Sequence, residues 1–432
     1  MEYKHHELTK TPPMGWNSFD CYGSSVTEEQ FKANVDWMAD NLKECGWQYA
    51  VVDFCWSHPD PGPVANPNVD GDSPALEMDE YSRLFPHPAR FPSAANGAGF
   101  KPLADYVHAK GLKFGIHIMR GIPHQAVAQN APIKGAVETA ADIVDPNSQC
   151  TWLNQMGGVD MAKPGAQEYY HSLFELYASW DVDFIKADDI LVDYPGPYHA
   201  AEVEAIRTAI DQCGRPMVLS LSPGPAPVHH AAHLSAHANM WRISMDFWDE
   251  WWKLKAQFDL CNAWSGRVPE GSWPDADMIP IGRLSMCGPM REERSSDFTK
   301  EEQRTLMTMW SIFRSPLMFG GCLLHMDEFT KELLTNKDVL AVNQNSRNGH
   351  QLARNVSRVS WLADGDDGVK YLAMFNLNDD IDVVGVTLEE IGFKGGAKFT
   401  ELWSGETPAC TERHFEVELP AHGSALFSVE PK

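Results

Sequence analysis

The chain is 432 residues long, 43% of them apolar and 22% charged, which is ordinary globular usage and excludes a disordered, collagen-like or coiled-coil polypeptide. Its 60 acidic against 35 basic side chains leave a net charge of −25, a field that repels phosphate backbones and anionic lipid surfaces. With no basic patch to offset that field, neither a nucleic-acid nor a membrane partner is expected.

No run of about 18 apolar residues is present, and the polar start MEYKHHELTKTPP has no signal-peptide core, so a soluble, cytoplasmic protein is expected. Nine scattered cysteines without a C-x-x-C pair read as reduced, buried thiols, with Cys21 and Cys55 open to meeting in space. The first clear element is a helix. Thr27-Glu-Glu-Gln30 reads as its capping box, Val26 and Phe31 as its staple, and Phe31, Val35, Met38 and Leu42 keep to one face until Gly46. The β-branched run 49–53 follows, and apolar runs recur at 112–118, 182–188, 217–222, 240–244, 278–281 and 316–319. With 13–16 ahead of the first helix there are eight candidate strands. Helical patterns over 167–180, 201–213, 301–311 and 326–334 favour parallel pairing through right-handed crossovers, so residues 1–346 are predicted to form a (β/α)8 TIM barrel of the α/β class. The irregular stretches 57–96 and 121–163 are long enough to carry function, and Asp70-Gly-Asp72 reads as a turn because no EF-hand run of ligands follows it. From about Arg347 short alternating runs predict a small C-terminal antiparallel β-sandwich domain over 347–432.

In such a barrel the working residues sit at the carboxyl ends of the strands, which singles out Asp53, His117, Lys186, Asp188, Asp189, Arg242, Asp246 and Asp277. Lys186 and Asp188 are two apart and point the same way. A lysine so placed holds the carboxylate ionised, as a nucleophile requires; a plain ion pair at a barrel mouth has the same spacing. Asp246, just past the sixth strand, supplies a second carboxyl on a different strand, the pairing that glycoside hydrolysis needs. The 15 tryptophans add apolar faces for a sugar, although most aromatic rings belong to the core. His229, His230, His233 and His237 include three at four-residue spacing on one helical face, but without a third ligand type the cluster reads as a polar face rather than a zinc site. The His5-His6 pair is expected at the surface. No glycine-rich phosphate cradle occurs, which removes nucleotide chemistry. A metal-dependent barrel hydrolase would want an H-x-H at a strand end, where His117 stands alone; a silent sugar-binding barrel is the other rival.

The sequence resembles glycoside hydrolase family 27, the melibiase group of α-galactosidases and α-N-acetylgalactosaminidases. The resemblance rests on seven blocks in order: Thr11-Pro-Pro-Met-Gly-Trp-Asn-Ser18, Val52-Asp-Phe-Cys-Trp56, Gly111-Leu-Lys-Phe-Gly-Ile116, Val182-Asp-Phe-Ile-Lys-Ala-Asp188, Trp241-Arg242 with Asp246, Pro274-Asp-Ala-Asp-Met278 and Lys337-Asp-Val-Leu-Ala-Val-Asn-Gln344. It implies Asp188 as nucleophile, Asp246 as acid/base, Lys186 and Arg242 on sugar hydroxyls, Asp53 as the first of an acidic pair near O4 and O6, and Asp277 as a buried carboxylate beside the arginine. It also implies double displacement with retention, no metal or organic cofactor, and a carbohydrate ending in α-galactosyl or α-N-acetylgalactosaminyl. Trp16, Phe19, His117 and Ser222 complete the predicted binding set. The chain departs from the family at Phe54, where the second aspartate of the pair is usual, at Phe19 for tryptophan and at His117 for tyrosine. Ser222 matches the N-acetylgalactosaminidases, whereas Pro225 stands where they carry alanine. The expectation is a retaining exo-α-glycosidase that tolerates a 2-acetamido group, with another sugar such as a β-L-arabinopyranoside as the alternative. Asp60 and Asp70 are candidates to replace the missing carboxylate.

Overall fold

The computed structural model describes residues 3–62, 75–191, 198–288, 290–411 and 413–432; Asp70-Gly-Asp72 lies outside them. Eight parallel strands build the first part of the chain: β1 Met14–Asn17, β2 Tyr49–Val52, β3 Lys113–Met119, β4 Phe184–Asp188, β5 Val218–Leu221, β6 Met240–Arg242, β7 Trp273–Asp275 and β8 Leu317–Phe319. Their order is β7-β6-β5-β4-β3-β2-β1-β8. The sheet curls until its edges meet at one bridge, where Ile279 N donates to Met318 O at 2.8 Å and Gly320 N donates to Ile279 O at 3.1 Å. Helices α1 Glu28–Asn41, α2 Lys101–Ala109, α3 Ala166–Ser179, α4 Ala200–Gln212, α5 Ala231–His237, α6 Trp251–Trp264 and α7 Lys300–Phe313 return the chain between successive strands; α8 Glu328–Thr335 and α9 Lys337–Asn345 follow the last. This is the (β/α)8 TIM barrel.

The seventh strand is not the expected run 278–281. It is Trp273-Pro-Asp275, paired through Asp275 with Arg242 of β6. The backbone turns out of the ladder at Asp277, whose φ is +86°, and Pro280 has no N–H with which to continue one. The expected run is apolar because it is buried; it pairs only through the single Ile279 bridge to β8. Helix α1 starts as the sequence requires: Gln30 N donates to Thr27 Oγ1 at 3.3 Å while Gln30 Oε1 accepts from Thr27 N at 2.9 Å. His5 and His6 are buried rather than at the surface, because the short helix Lys4–Thr9 lies against α5 and both imidazoles reach the carbonyl of Ser235. All nine cysteines are free thiols, Cys21 and Cys55 included.

The two-residue period of the strands sorts the barrel interior into layers. Tyr49, Val51, Phe184, Val218, Met240, Trp273 and Met318 form an apolar floor. Two residues further along the same strands stand Asp53, Lys186, Ser220, Arg242 and Asp275, so the site is the polar storey above that floor. The strands β9 Arg347–Asn355, β10 Arg358–Asp364, β11 Lys370–Asn376, β12 Asp382–Thr387, β13 Ala397–Glu401, β14 His414–Leu419 and β15 Ser424–Pro431 complete the chain. They form an antiparallel sheet β9-β10-β11-β15-β13 and a β12-β14 pair around a core that includes Phe399, Phe415 and Phe427. This β-sandwich meets α7, where Trp403 Nε1 donates to Thr308 Oγ1 at 3.0 Å and Thr305 Oγ1 donates to His422 O at 2.6 Å. Among the described residues no helix is long and apolar enough to cross a membrane.

Gly15 of β1 faces Tyr49 so closely that a Cβ there would lie 2.4 Å from the Tyr49 carbonyl oxygen. Gly15→Ala is therefore expected to cost about 1–3 kcal/mol and lower Tm. Gly395→Ala, at a position with nothing within 4 Å, is expected to leave Tm unchanged. Equal melting of the two variants would contradict the close approach of β1 and β2.

Candidate active site

Asp188 ends β4, largely enclosed, with one carboxylate oxygen 2.9 Å from His117 Nε2 and the other accepting from Asp189 N at 2.7 Å. A carboxylate only accepts, so His117 Nε2 carries the proton. Burial alone would raise this carboxyl's pKa; the His117 hydrogen bond and the nearby Lys186 charge outweigh it and hold Asp188 below the ordinary range. Lys186 Nζ lies 2.9 Å from Asp53 Oδ2, which also accepts from Asn17 Nδ2 at 2.8 Å. Burial opposes ionisation of Asp53 too, but Lys186 and His117 bring its pKa down to about 2. Reciprocally, Asp53 and Asp188 overcome the burial of Lys186 and raise its pKa well above the ordinary value.

On the opposite side Arg242 Nη2 lies 2.7 Å from Asp277 Oδ2 and 3.3 Å from Asp246 Oδ1. Asp277 is fixed further by Phe247 N and Met278 N, each donating at 2.7 Å. Asp246 differs from the other carboxylates in exposure: 68% of its side chain is open, against 13% for Asp188. One acid is thus enclosed beside cations and the other stands at the mouth. Ser222 is buried and, with Lys186, Arg242 and Asp277, lines a narrow cavity; Ser222 N donates to Ala187 O at 2.8 Å, which pins the end of β5 to β4.

One wall is aromatic. Phe19 and Phe54 have ring centroids 5.5 Å apart; Phe54 is also 5.7 Å from the His117 ring and 6.1 Å from Trp152, while Phe19 faces Trp248 and lies under Lys186. The predicted Trp16 takes no part in this wall. Out of phase with Asn17, it points behind β1, fully buried against Phe31 with its Nε1 donating to Gly321 O at 2.9 Å. Asp60 is exposed in a turn closed by Gly62 N at 3.2 Å, and Asp70 lies outside the described residues.

The long insertions brace the site. Arg90 donates to four carbonyls, those of Cys55, His58, Ser24 and Val26, and so fixes the chain just after β2. Behind Asp188, Arg120 N donates to Asp188 O at 3.0 Å, its guanidinium binds Asp189 Oδ2 at 2.9 Å and Glu202 Oε1 at 2.8 Å, and Nε donates to Asp189 O at 2.7 Å. Asp189, which turns away in the left-handed region with φ +60°, is pushed up to about 6 by burial against the pull of Arg120.

Sequence reasoning missed Asn17, Asp20 and Asp275. Asn17 and Asp275 share the inward phase of Gly15 and Asp277, a signal available in the strand period. Asp20 had no such signal, because it lies on the short helix Phe19–Tyr22 beyond β1. Burial, then Asp277, drives the Asp20 carboxyl well above its usual range, and Gly320 gives it room: a Cβ there would lie 1.8 Å from Asp20 Oδ2.

The family described as Alpha galactosidase A matches residues 11–130 and 135–345, and the alpha galactosidase C-terminal beta sandwich domain matches 357–429. The chain belongs to glycoside hydrolase family 27, the melibiase group. It is similar to a β-L-arabinopyranosidase of Geobacillus stearothermophilus, with 50% identity, a TM-score of 0.96 and coverage of 100% of this chain and 99% of that one. An aspartate-to-alanine variant of that enzyme is known in complex with arabinose, at 49% identity, with full coverage of both chains and a TM-score of 0.97. The α-galactosidase A of Cellvibrio japonicus is 25% identical over 99% of this chain and 94% of its own length. The α-N-acetylgalactosaminidase of Gallus gallus is 25% identical over 98% and 95%. As a family 27 member the protein is a glycoside hydrolase, and its substrate is a carbohydrate.

Within this site Asp275 is enclosed, and burial with the adjacent Asp277 outweighs Arg242 to push its carboxyl up to about 7. The unfolded chain releases that proton near pH 4, so this group's contribution to folding declines between about pH 4 and 7. Asp275→Asn cannot ionise. Its stability relative to the parent is expected to rise by about 2–4 kcal/mol from pH 4 to pH 8, read as a widening Tm difference. A difference independent of pH would show that Asp275 is ionised in the fold throughout.

Proposed function

We propose that the protein is a retaining exo-glycosidase whose preferred substrate is a β-L-arabinopyranoside, with α-D-galactosides hydrolysed more slowly. The two sugars share their ring stereochemistry, and arabinopyranose lacks only the hydroxymethyl group that galactose carries on C5. The observation that carries this reading is Phe54 packed on Phe19 directly beside Asp53. A galactose O6 at that wall would lose the charge-assisted hydrogen bond of a second aspartate, at about 1.5–3 kcal/mol, whereas the bare C5 of arabinopyranose suits an aromatic face. Among the described residues the loop candidate Asp60 supplies no replacement. The similarity to a β-L-arabinopyranosidase supports the same choice.

In the first step the Asp188 carboxylate bonds to the anomeric carbon as the bond to the leaving oxygen breaks, and Asp246 gives that oxygen its proton. Water then attacks the same carbon, returns a proton to Asp246 and frees Asp188, with net retention. His117 and Lys186 keep the attacking group ionised, Asp53 and Lys186 hold hydroxyls, and the exposure of Asp246 suits a group that meets the aglycone. Ser222 favours a second reading, acceptance of a 2-acetamido sugar, because a hydroxyl stands where an acidic side chain would fill that part of the cavity.

Initial rates on nitrophenyl β-L-arabinopyranoside, α-D-galactopyranoside and α-N-acetylgalactosaminide test both readings. The arabinopyranoside is expected to exceed the galactoside in kcat/KM by about 10- to 150-fold, the factor that corresponds to the lost O6 bond. A galactoside hydrolysed equally well or faster would overturn the first reading, and no turnover of the N-acetyl sugar the second.

A further inference from the structure

A second cluster of chemistry-bearing side chains lies on the outer ring of helices. On α5, His233 and His237 are one turn apart with ring centroids 4.2 Å from each other. The neighbouring α4 supplies the third ligand type that the sequence alone did not reveal: Glu204 Oε1 lies 3.0 Å from His233 Nε2. One ligand atom from each of Glu204, His233 and His237 falls within 4.8 Å of the others. Tetrahedral ligands at about 2.0–2.1 Å from zinc stand about 3.3 Å apart, so rotamer adjustments suffice to close the set.

The hydrogen bonds behind the imidazoles strengthen the case. His237 Nδ1 donates to the carbonyl of His233 at 2.8 Å, which leaves His237 Nε2 as a free lone pair. His233 Nδ1 lies 2.6 Å from Tyr198 Oη, a hydroxyl that can accept from Nδ1–H once Nε2 is given to a metal. Metal-ligating histidines are oriented in this way, with the second nitrogen tied to an oxygen. We propose that Glu204, His233 and His237 form a three-ligand site for a divalent cation of the zinc type, with water completing the coordination. The other grouping of three such side chains among the described residues, Asp105, His108 and Asp181, offers a single imidazole and already holds Lys101 between its carboxylates.

The consequence is mechanical. Helix α4 follows the strand that ends in Asp188, and α5 lies between β5, which Ser222 directly follows, and β6, which carries Arg242. A cation there ties two helices that back the site without entering the reaction.

The test uses tag-free full-length protein stripped with a chelator and titrated with ZnCl2 against a chromophoric chelator. One equivalent is expected to bind with a Kd below about 10 μM and to raise Tm. His237→Ala and Glu204→Gln, the second leaving α5 intact, should each weaken binding by about 100-fold, and Tyr198→Phe by about 10-fold. Glycosidase activity of the stripped protein should equal that of the loaded one. Binding weaker than about 10 μM, or equally tight binding in His237→Ala and Glu204→Gln, would overturn the assignment.

Discussion

Lys186 is a cation enclosed in the barrel and shared by two carboxylates, and the electrostatics of the mouth depend on it. Its Nζ lies 2.9 Å from Asp53, and its charge reaches Asp188 two residues along the same strand. Buried charges are costly unless paired, and removing one partner leaves the others uncompensated. Arg242 does the same for Asp277 and also reaches the exposed Asp246. The two cations therefore divide the acidic residues of the mouth. Asp53 and Asp188, near Lys186, are held ionised, while burial, reinforced by the Asp277 carboxylate, drives Asp275 and Asp20 toward the protonated form.

That division gives the proposed chemistry its asymmetry. A nucleophile must be ionised and enclosed, and an acid/base must exchange protons with water and the leaving group. Asp188 and Asp246 differ in these respects because of where the backbone ends each strand. Asp188 is the last residue of β4, gripped from behind by Arg120; Asp246 lies four residues beyond β6 on an open turn. The aromatic wall is a separate feature. It packs against the charged groups, Phe19 under Lys186 and Phe54 beside His117, but adds no charge of its own, and in the proposed reading it selects the sugar rather than the reaction.

Much of this was legible in the sequence because it follows from local rules. The capping box at Thr27, the β-branched runs and the two-residue phase that aligns Lys186 with Asp188 all hold in the fold. The same phase would have excluded Trp16 from the mouth and admitted Asn17 and Asp275. The seventh strand was misplaced because Trp273-Pro-Asp275 is short and carries its inward polar residue at the end, whereas 278–281 is a buried apolar run that pairs only through the single Ile279 bridge. Asp20 and the grip of Arg120 and Arg90 depend on chain segments that meet only in three dimensions, so no spacing announces them. Glu204 is of the same kind: the histidine pair shows in the sequence, but its carboxylate partner comes from another helix.

The central claim is that Asp188, ionised between Lys186 and His117, attacks the sugar. It is tested most directly by inactivating the protein with a 2-deoxy-2-fluoro-β-L-arabinopyranosyl fluoride and mapping the adduct by peptide mass spectrometry. The account predicts one sugar per chain, on the peptide that contains Asp188, released slowly as the sugar of retained configuration. A label on another carboxylate, or turnover with inversion and no adduct, would contradict it.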